Sequence, residues 1–333
     1  MAQARLRRVV VILLVLLAMV SLASLLNGEA GLSLSDSLKG LLRQESVAGL
    51  IIYEIRLPRT VLALLVGAVL GLSGAALQAL LRNPLADASI FGAPQSAALG
   101  AVAVLYTGLA GALSWVLPLA AMAMAMLSLW LLLLLAGQRA QVFVLLLAGL
   151  AVGSLAGAAT SILIALSPNP FAITEIVFWL MGSFENRSMQ HVVLAAPFIM
   201  LAMGLLLGQG NAYRALALGE ETALSLGVNL DAVRHVTLLA VALGVGASVA
   251  VAGAIGFIGL AAPQIMRRFL SSDPKQILWP SAMTGALLLE LADVAVRLIP
   301  AQSEIKVGAL TALLGAPLYL LAVQRETGQG RQP

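Results

Sequence analysis

The sequence predicts an all-α polytopic membrane protein with about ten transmembrane helices, and three observations carry that prediction. Hydrophobic residues fill 61% of its 333 positions and charged residues 10%, at a mean hydropathy of +1.01. Soluble domains run near roughly 45–50% apolar and 25% charged. An uncharged run extends from Val236 to Met266, closed by Arg234 before it and by Arg267 and Arg268 after it. Finally, the pattern Val-Gly-Ala, five residues, Gly-Ala stands at Val66 to Ala75, Val245 to Ala254 and Val307 to Ala316. Its paired glycines fall on one stripe of a helix, where backbones can approach closely.

The first expected span is Val9 to Leu26. Arg5, Arg7 and Arg8 before it imitate a secretory signal, but its 18 residues exceed the roughly 7–15 of a signal core, so it reads as a retained span. A polar, amphipathic stretch, 28–56, follows. Spans are then expected at Thr60 to Leu81, Ile90 to Tyr106, Leu113 to Ala136 and Val142 to Leu166. The apolar piece Ile176 to Met181 is too short to cross, and Val192 to Leu207 is the next full span. Lys and Arg beside spans mark one membrane face, so the run from Val236 to Met266 must enter and return. One helix of that length overshoots a hydrocarbon core of about 30 Å, and two full crossings want about 40 residues. Two short helices turned near Gly253, Gly256 and Gly259 are therefore expected. Ile277 to Val296 and Val307 to Val323 complete the ten. The first two copies of the glycine pattern begin spans of opposite direction, as an inverted repeat requires. A third copy equally suits the general abundance of Gly and Ala in membrane helices. With both termini cytoplasmic, twelve of the 19 Lys and Arg fall inside, in keeping with the positive-inside rule.

Several chemistries are excluded. With no Cys, and with His191 and His235 at opposite ends of different spans, no metal site is expected. Basic residues are scattered singly, which argues against nucleic acid. The three lysines, Lys39, Lys275 and Lys306, follow Leu, Pro and Ile, so no phosphate-cradling Gly-Lys-Ser/Thr loop is encoded. Broken helices inside a bilayer persist only where they are buried in protein or line a cavity, which points to transport. An ion-coupled carrier would use Glu290 and Asp293, the acidic residues of the ninth span. Asp293 lies four residues before Arg297, so a local ion pair is the competing role.

Between the sixth span and the uncharged run, Tyr213 to Asn229 reads as two short helices joined at Gly219, with Glu221, Ala223 and Gly227 in the spacing Glu-x-Ala-x₃-Gly. A glycine stop after helical residues makes such a knuckle. It could dock on another protein or be a solvated loop.

Ile55-Arg56-Leu57-Pro58-Arg59, Gln78-Ala79-Leu80 with Asn83-Pro84-Leu85-Ala86, Ala217-Leu218-Gly219-Glu220, the stretch from Gly253 to Leu260 and that from Gly308 to Pro317 resemble, in the same order, the motifs of the iron-chelate, haem and cobalamin permeases. These are the transmembrane subunits of type II binding-protein-dependent ABC importers. The resemblance covers about Arg56 to Val323. It implies a single permease domain over 1–333 in the bacterial inner membrane, paired with a second permease subunit in a homodimer or related pair. It further implies two cytoplasmic ATPase subunits, which bind ATP and Mg while this chain binds no cofactor, and a periplasmic binding protein. Carried over by position, Arg56, Arg59 and Arg297 would meet the binding protein. Leu218, Gly219, Glu220, Glu221, Ala223 and Gly227, within coupling helices 211–229, would meet the ATPase. Asn83 and Leu85 match the cytoplasmic mouth of the pathway, and 28–56 and 324–333 become a periplasmic stretch and a cytoplasmic tail. Two positions depart from the family pattern. Gln264 follows Pro263 where His is frequent, and Val142-Phe143 replace small polar residues near the inner mouth of cobalamin relatives. The second departure turns the expected cargo toward ferric siderophore, with haem or cobalamin as alternatives.

Overall fold

The structure, a computed structural model, describes residues 2–28, 32–42, 44, 46–109, 115–137, 142–167, 170–270, 272–299 and 305–317. The expected tail 324–333 and the last residues of the tenth span lie outside these. Among the described residues all regular structure is helical, and seven helices are long and apolar enough to span a bilayer.

Helix α1 (Ala2–Leu26) covers the first expected span. In α2 (Leu34–Leu42), Leu34, Leu38, Leu41 and Leu42 recur at helical spacing among polar residues, as expected of an amphipathic stretch. A short α3 (Val47–Leu50) passes through a π-helical turn, Ile51–Arg56, into α4 (Leu57–Leu80) without a stop. Pro58, which has no N–H to continue the helical ladder, follows directly on that π-helical turn. The third expected span is shorter than the sequence implied. Gly92 adopts φ +73°, separating a 3₁₀ turn, Ala88–Phe91, from α5 (Ala93–Tyr106). Helices α6 (Val116–Ala136), α7 (Val142–Ala165) and α9 (Met189–Gly208) agree with expectation. The piece too short to cross is α8 (Pro170–Leu180). Helices α10 (Gly210–Leu216) and α11 (Glu220–Ser225) form the knuckle, with Gly219 at φ +109° between them.

The uncharged run is broken where expected, but its halves are unequal. Helix α12 (Leu230–Ala252) is a full span and only α13 (Ile258–Phe269) is short. The sequence reading began the helix at Val236, whereas Asn229 caps it by accepting from the Ala232 N–H, so Asp231, Arg234 and His235 ride on its first turns. Helices α14 (Pro274–Leu298) and α15 (Val307–Pro317) are the last among the described residues.

Helices α4, α12 and α14 are the inner ones, and α1, α6, α7 and α9 leave most of their surface outside the packed core. The repeated glycines are what let the inner helices touch. A methyl on Gly67 would strike the backbone of Gly285 on α14, and one on Gly74 would strike the Gly259 carbonyl on α13. The first copy of the pattern lies across the middle of α4, and the second begins late in α12 and runs past its end, so neither stands at the start of its helix. Their helices nevertheless run oppositely, since Arg82 just past the end of α4 and Arg234 at the start of α12 share Glu220.

Candidate functional site

Polar side chains gather at the two ends of the bundle. At the first end, the guanidinium of Arg59 donates to both carboxylate oxygens of Asp293, at 2.9 and 3.1 Å. Asp293 also pairs with Arg297, at 2.9 Å. Arg297 reaches on to the Ser24 carbonyl and hydroxyl and the Asn27 carbonyl of α1. Arg56 donates to the Leu25 and Leu26 carbonyls. The last carbonyls of a helix lack intrahelical partners and carry negative charge, so two arginines terminate α1 and fasten it to α4 and α14. The three arginines expected to face a partner thus have buried side chains engaged within the chain. Two of them share a single carboxylate. The expected Asp293–Arg297 pair is present, and Arg59 joins it from 234 residues away. Glu290 is fully buried one turn deeper, beside Ser21 of α1, with neither carboxylate oxygen in hydrogen-bonding geometry. On the same end Lys306 pairs with Glu185 and lies 5.4 Å over the Phe178 ring.

At the second end the knuckle is fixed to α12, to α14 and to the turn that follows α4. Tyr213 is buried and its hydroxyl meets that of Thr237 on α12 at 2.7 Å. Burial pushes the Tyr213 phenol well above its ordinary range despite that bond. Arg214 binds Asp273, the N-cap of α14, at 2.5 Å, and Lys275 donates to Asn211 at 2.8 Å. Glu220 joins Arg234 of α12 at 3.4 Å and Arg82 of the 81–87 turn at 3.9 Å. Ala223 is packed inside, while Glu221 and Gly227 are exposed with Leu218, Leu224 and Leu226. Three exposed leucines on a knuckle otherwise fastened to the bundle make an apolar contact surface.

Partial burial would raise the Asp273 carboxyl. Its bonds to Arg214, the Lys275 N–H and Gln276 outweigh that and hold it below the ordinary 3.8. A carboxylate held low contributes stability that is fully present above its unfolded pKa and is lost as pH falls through the folded value. Acidification below about pH 4 is therefore expected to lower the thermal midpoint of the native chain more than that of Asp273→Asn. An equal loss in both would show that this pair does not set acid stability.

Between the ends the backbone is broken twice. Residues 81–87 leave α4 through Arg82, at φ +49°, and lead to the 3₁₀ turn lodged against Gly149 of α7. Asn83 is exposed and accepts from the Leu85 N–H at 2.9 Å, and Leu85 is half-buried. Opposite, residues 253–257 cross from α12 to α13. Gly253 at φ +71° passes close to the Trp179 carbonyl, and Phe257 at φ +67° starts α13. The two breaks enclose a cavity of about 190 Å³ lined by Leu70, Asp87, Ser89, Gln95, Ser248 and Phe257, among others. A second cavity of about 200 Å³ opens at the knuckle end between Gln78, Arg82, Ala217, Arg267 and Pro274. Phe143 stands outward on the first turn of α7, and the Val142 side chain is outside what the structure describes.

Arg82, Arg234, Asp87, Leu224 and Leu226 are additions to the sequence-derived site. The first two had a signal, since lone charges flanking spans invite pairing with Glu220. No sequence signal brings Asp87 beside the break at 253–257.

The family model described as the FecCD transport family matches residues 11–325. Vitamin B12 import system permease proteins BtuC of Salmonella typhi and Salmonella newport are each 39% identical over 308 residues, 92% of this chain and 91% of theirs. A solved inward-facing conformation of a metal-chelate type ABC transporter superposes with a TM-score of 0.86 at 29% identity, covering 96% of this chain and 99% of that one. PsaBC from Streptococcus pneumoniae in complex with Fab shares the fold at a TM-score of 0.58 and 16% identity, covering 87% and 95%.

Proposed function

The chain belongs to the FecCD transport family, and on that premise we propose that it is the permease through which an ATP-driven importer moves a metal chelate into the cytoplasm. It is a transport subunit of the type II ABC importer fold and not an enzyme. It works with an ATPase and a substrate-binding protein. ATP and Mg are held by the ATPase subunits, and this chain holds no cofactor. Its membrane is the bacterial inner membrane, with both termini and the knuckle cytoplasmic and the Arg59 end facing the periplasm.

The observation that carries the mechanism is Glu220, on the knuckle, joined to Arg82 at the turn that holds Asn83 and Leu85. The exposed Leu218, Leu224 and Leu226 with Gly219, Glu221 and Gly227 form the surface that sits on the ATPase. ATP closure moves this surface, and Glu220 carries the motion to the 81–87 turn and to α12, reshaping the inner mouth. Phe143 of α7, which stands outward, faces a pathway between two copies of the chain, in a homodimer. At the periplasmic end Arg56, Arg59 and Arg297 hold the ends of α1, α4 and α14 together beneath the surface on which the binding protein docks, so their part in docking is to set the shape of that surface.

Cobalamin is the chelate to test first, because the 39% relatives import vitamin B12 by name. Ferric siderophore and haem are the other arms. The ion-coupled alternative loses support because Asp293 is committed to two arginines. The test is uptake into proteoliposomes holding this chain and its ATPase, with ATP inside and loaded binding protein outside. Uptake needing both ATP and binding protein is expected, and Glu220→Arg should reduce it about tenfold or more while opposing Arg82 and Arg234 with like charge. Uptake by this chain alone, driven by a pH gradient, would overturn the proposal.

A further inference from the structure

We propose that Gln264 is a positioning residue that makes the 81–87 turn move as one body with α13, an inference that rests on the importer reading and extends it to a second arm of the coupling path. The turn is short of internal partners. Within it the Ala86 N–H donates to the Asn83 carbonyl at 3.2 Å and the Leu85 N–H to the Asn83 side chain. Pro84 has no N–H, so its carbonyl is its one hydrogen-bonding group. That carbonyl accepts from the Gln264 side-chain amide at 2.8 Å, across 180 residues of sequence. A second amide, Gln78 of α4, donates to the Ala86 carbonyl at a longer 3.3 Å.

The turn is therefore held from two sides. Glu220 reaches Arg82 from the knuckle, and Gln264 reaches Pro84 from α13. Helix α13 begins at Phe257, on the wall of the central cavity, and packs on α4 through Gly259 against Gly74. A displacement of the turn that keeps the Gln264 bond must carry α13, and with it the cavity wall. Without the bond, the knuckle can move the turn and leave α13 behind. ATP turnover would then part from transport.

The chemistry required at 264 is an N–H donor. Gln264→Glu keeps the shape, but an ionised carboxylate cannot donate and faces the Pro84 carbonyl with like charge. Gln264→Leu keeps bulk without a donor, and Gln264→His restores an N–H. The first arm measures backbone hydrogen exchange of residues 83–87 on the chain in lipid nanodiscs. Exchange is expected to rise about three- to tenfold in Gln264→Glu and Gln264→Leu, the scale of one hydrogen bond, and to stay near the native rate in Gln264→His. The second arm measures ATP hydrolysed per chelate imported in the full complex. That ratio should rise by a similar factor in the two donorless variants and return toward the native value in Gln264→His. Native exchange in Gln264→Glu, or faster exchange with an unchanged ratio, would overturn the proposal. Failure of the native complex to import on ATP would instead sink the importer reading, and the exchange arm would still decide whether Gln264 holds the turn.

Discussion

Replacing Asp293 with Ala is expected to destabilise the chain by about 3–5 kcal/mol, because it removes the carboxylate that two buried guanidiniums share. Arg59, Arg297 and Asp293 have side chains at most 9% exposed, so water cannot replace the lost carboxylate. Arg59 fastens α4 to α14, and Arg297 fastens α14 to the end of α1, so the loss should loosen the whole first end. Arg59→Met keeps the Asp293–Arg297 pair intact and should lose much less than Asp293→Ala, because no buried charge is left without its carboxylate or guanidinium partner. Thermal unfolding in detergent, followed by a thiol reporter introduced on α1, would measure both. If Asp293→Ala melted with the native chain, the buried network would be an ornament of packing and not a fastener.

The second large effect is expected at Gly74. A methyl there would overlap the Gly259 carbonyl, and one on Gly285 would overlap the Gly67 carbonyl. Gly74→Ala must push α13 off α4, at about 1–3 kcal/mol, and Gly74→Val should cost more. Gly157 on α7 and Gly204 on α9 have nothing within 4 Å of an added methyl. Alanine at those two is expected to be neutral or to stabilise by up to about 1 kcal/mol, through helix propensity. Equal effects at Gly74 and Gly204 would mean that the repeated glycines mark composition and not contact.

Much of this arrangement is legible in the chain. Long apolar stretches identify α1, α4, α6, α7, α9 and α14 because lipid admits few alternatives to helix. Charge placement shows that the run after Arg234 must turn back, and glycine spacing marks the faces that pack. The start of α12 was misread because an uncharged stretch reports what lies in hydrocarbon, while a helix continues into the polar interface, where Asp231 and Arg234 are solvated and paired. The shortened α5 was missed because Gly92 looks like any other glycine among apolar residues until its φ is known. Pairings across the bundle, Arg59 with Asp293 and Gln264 with Pro84, have no local signature. Motif position drew attention to Arg59 and to Gln264, but neither partner can be read from a one-dimensional pattern.

The shortness of α5 and α13 bears on how the protein is made. Fourteen and twelve residues reach about 21 and 18 Å at 1.5 Å per residue, so neither spans the hydrocarbon unaided. Each must wait for walls built by other helices before it can leave the interface. For α13 those walls include α14, which emerges later in synthesis and buries its Gly285 against α4. The stretch from Gly253 to Phe269 therefore enters the bilayer as an act of tertiary assembly, after the longer spans are inserted. The backbone break that shapes the centre of the protein is completed only when nearly the whole chain has been synthesised.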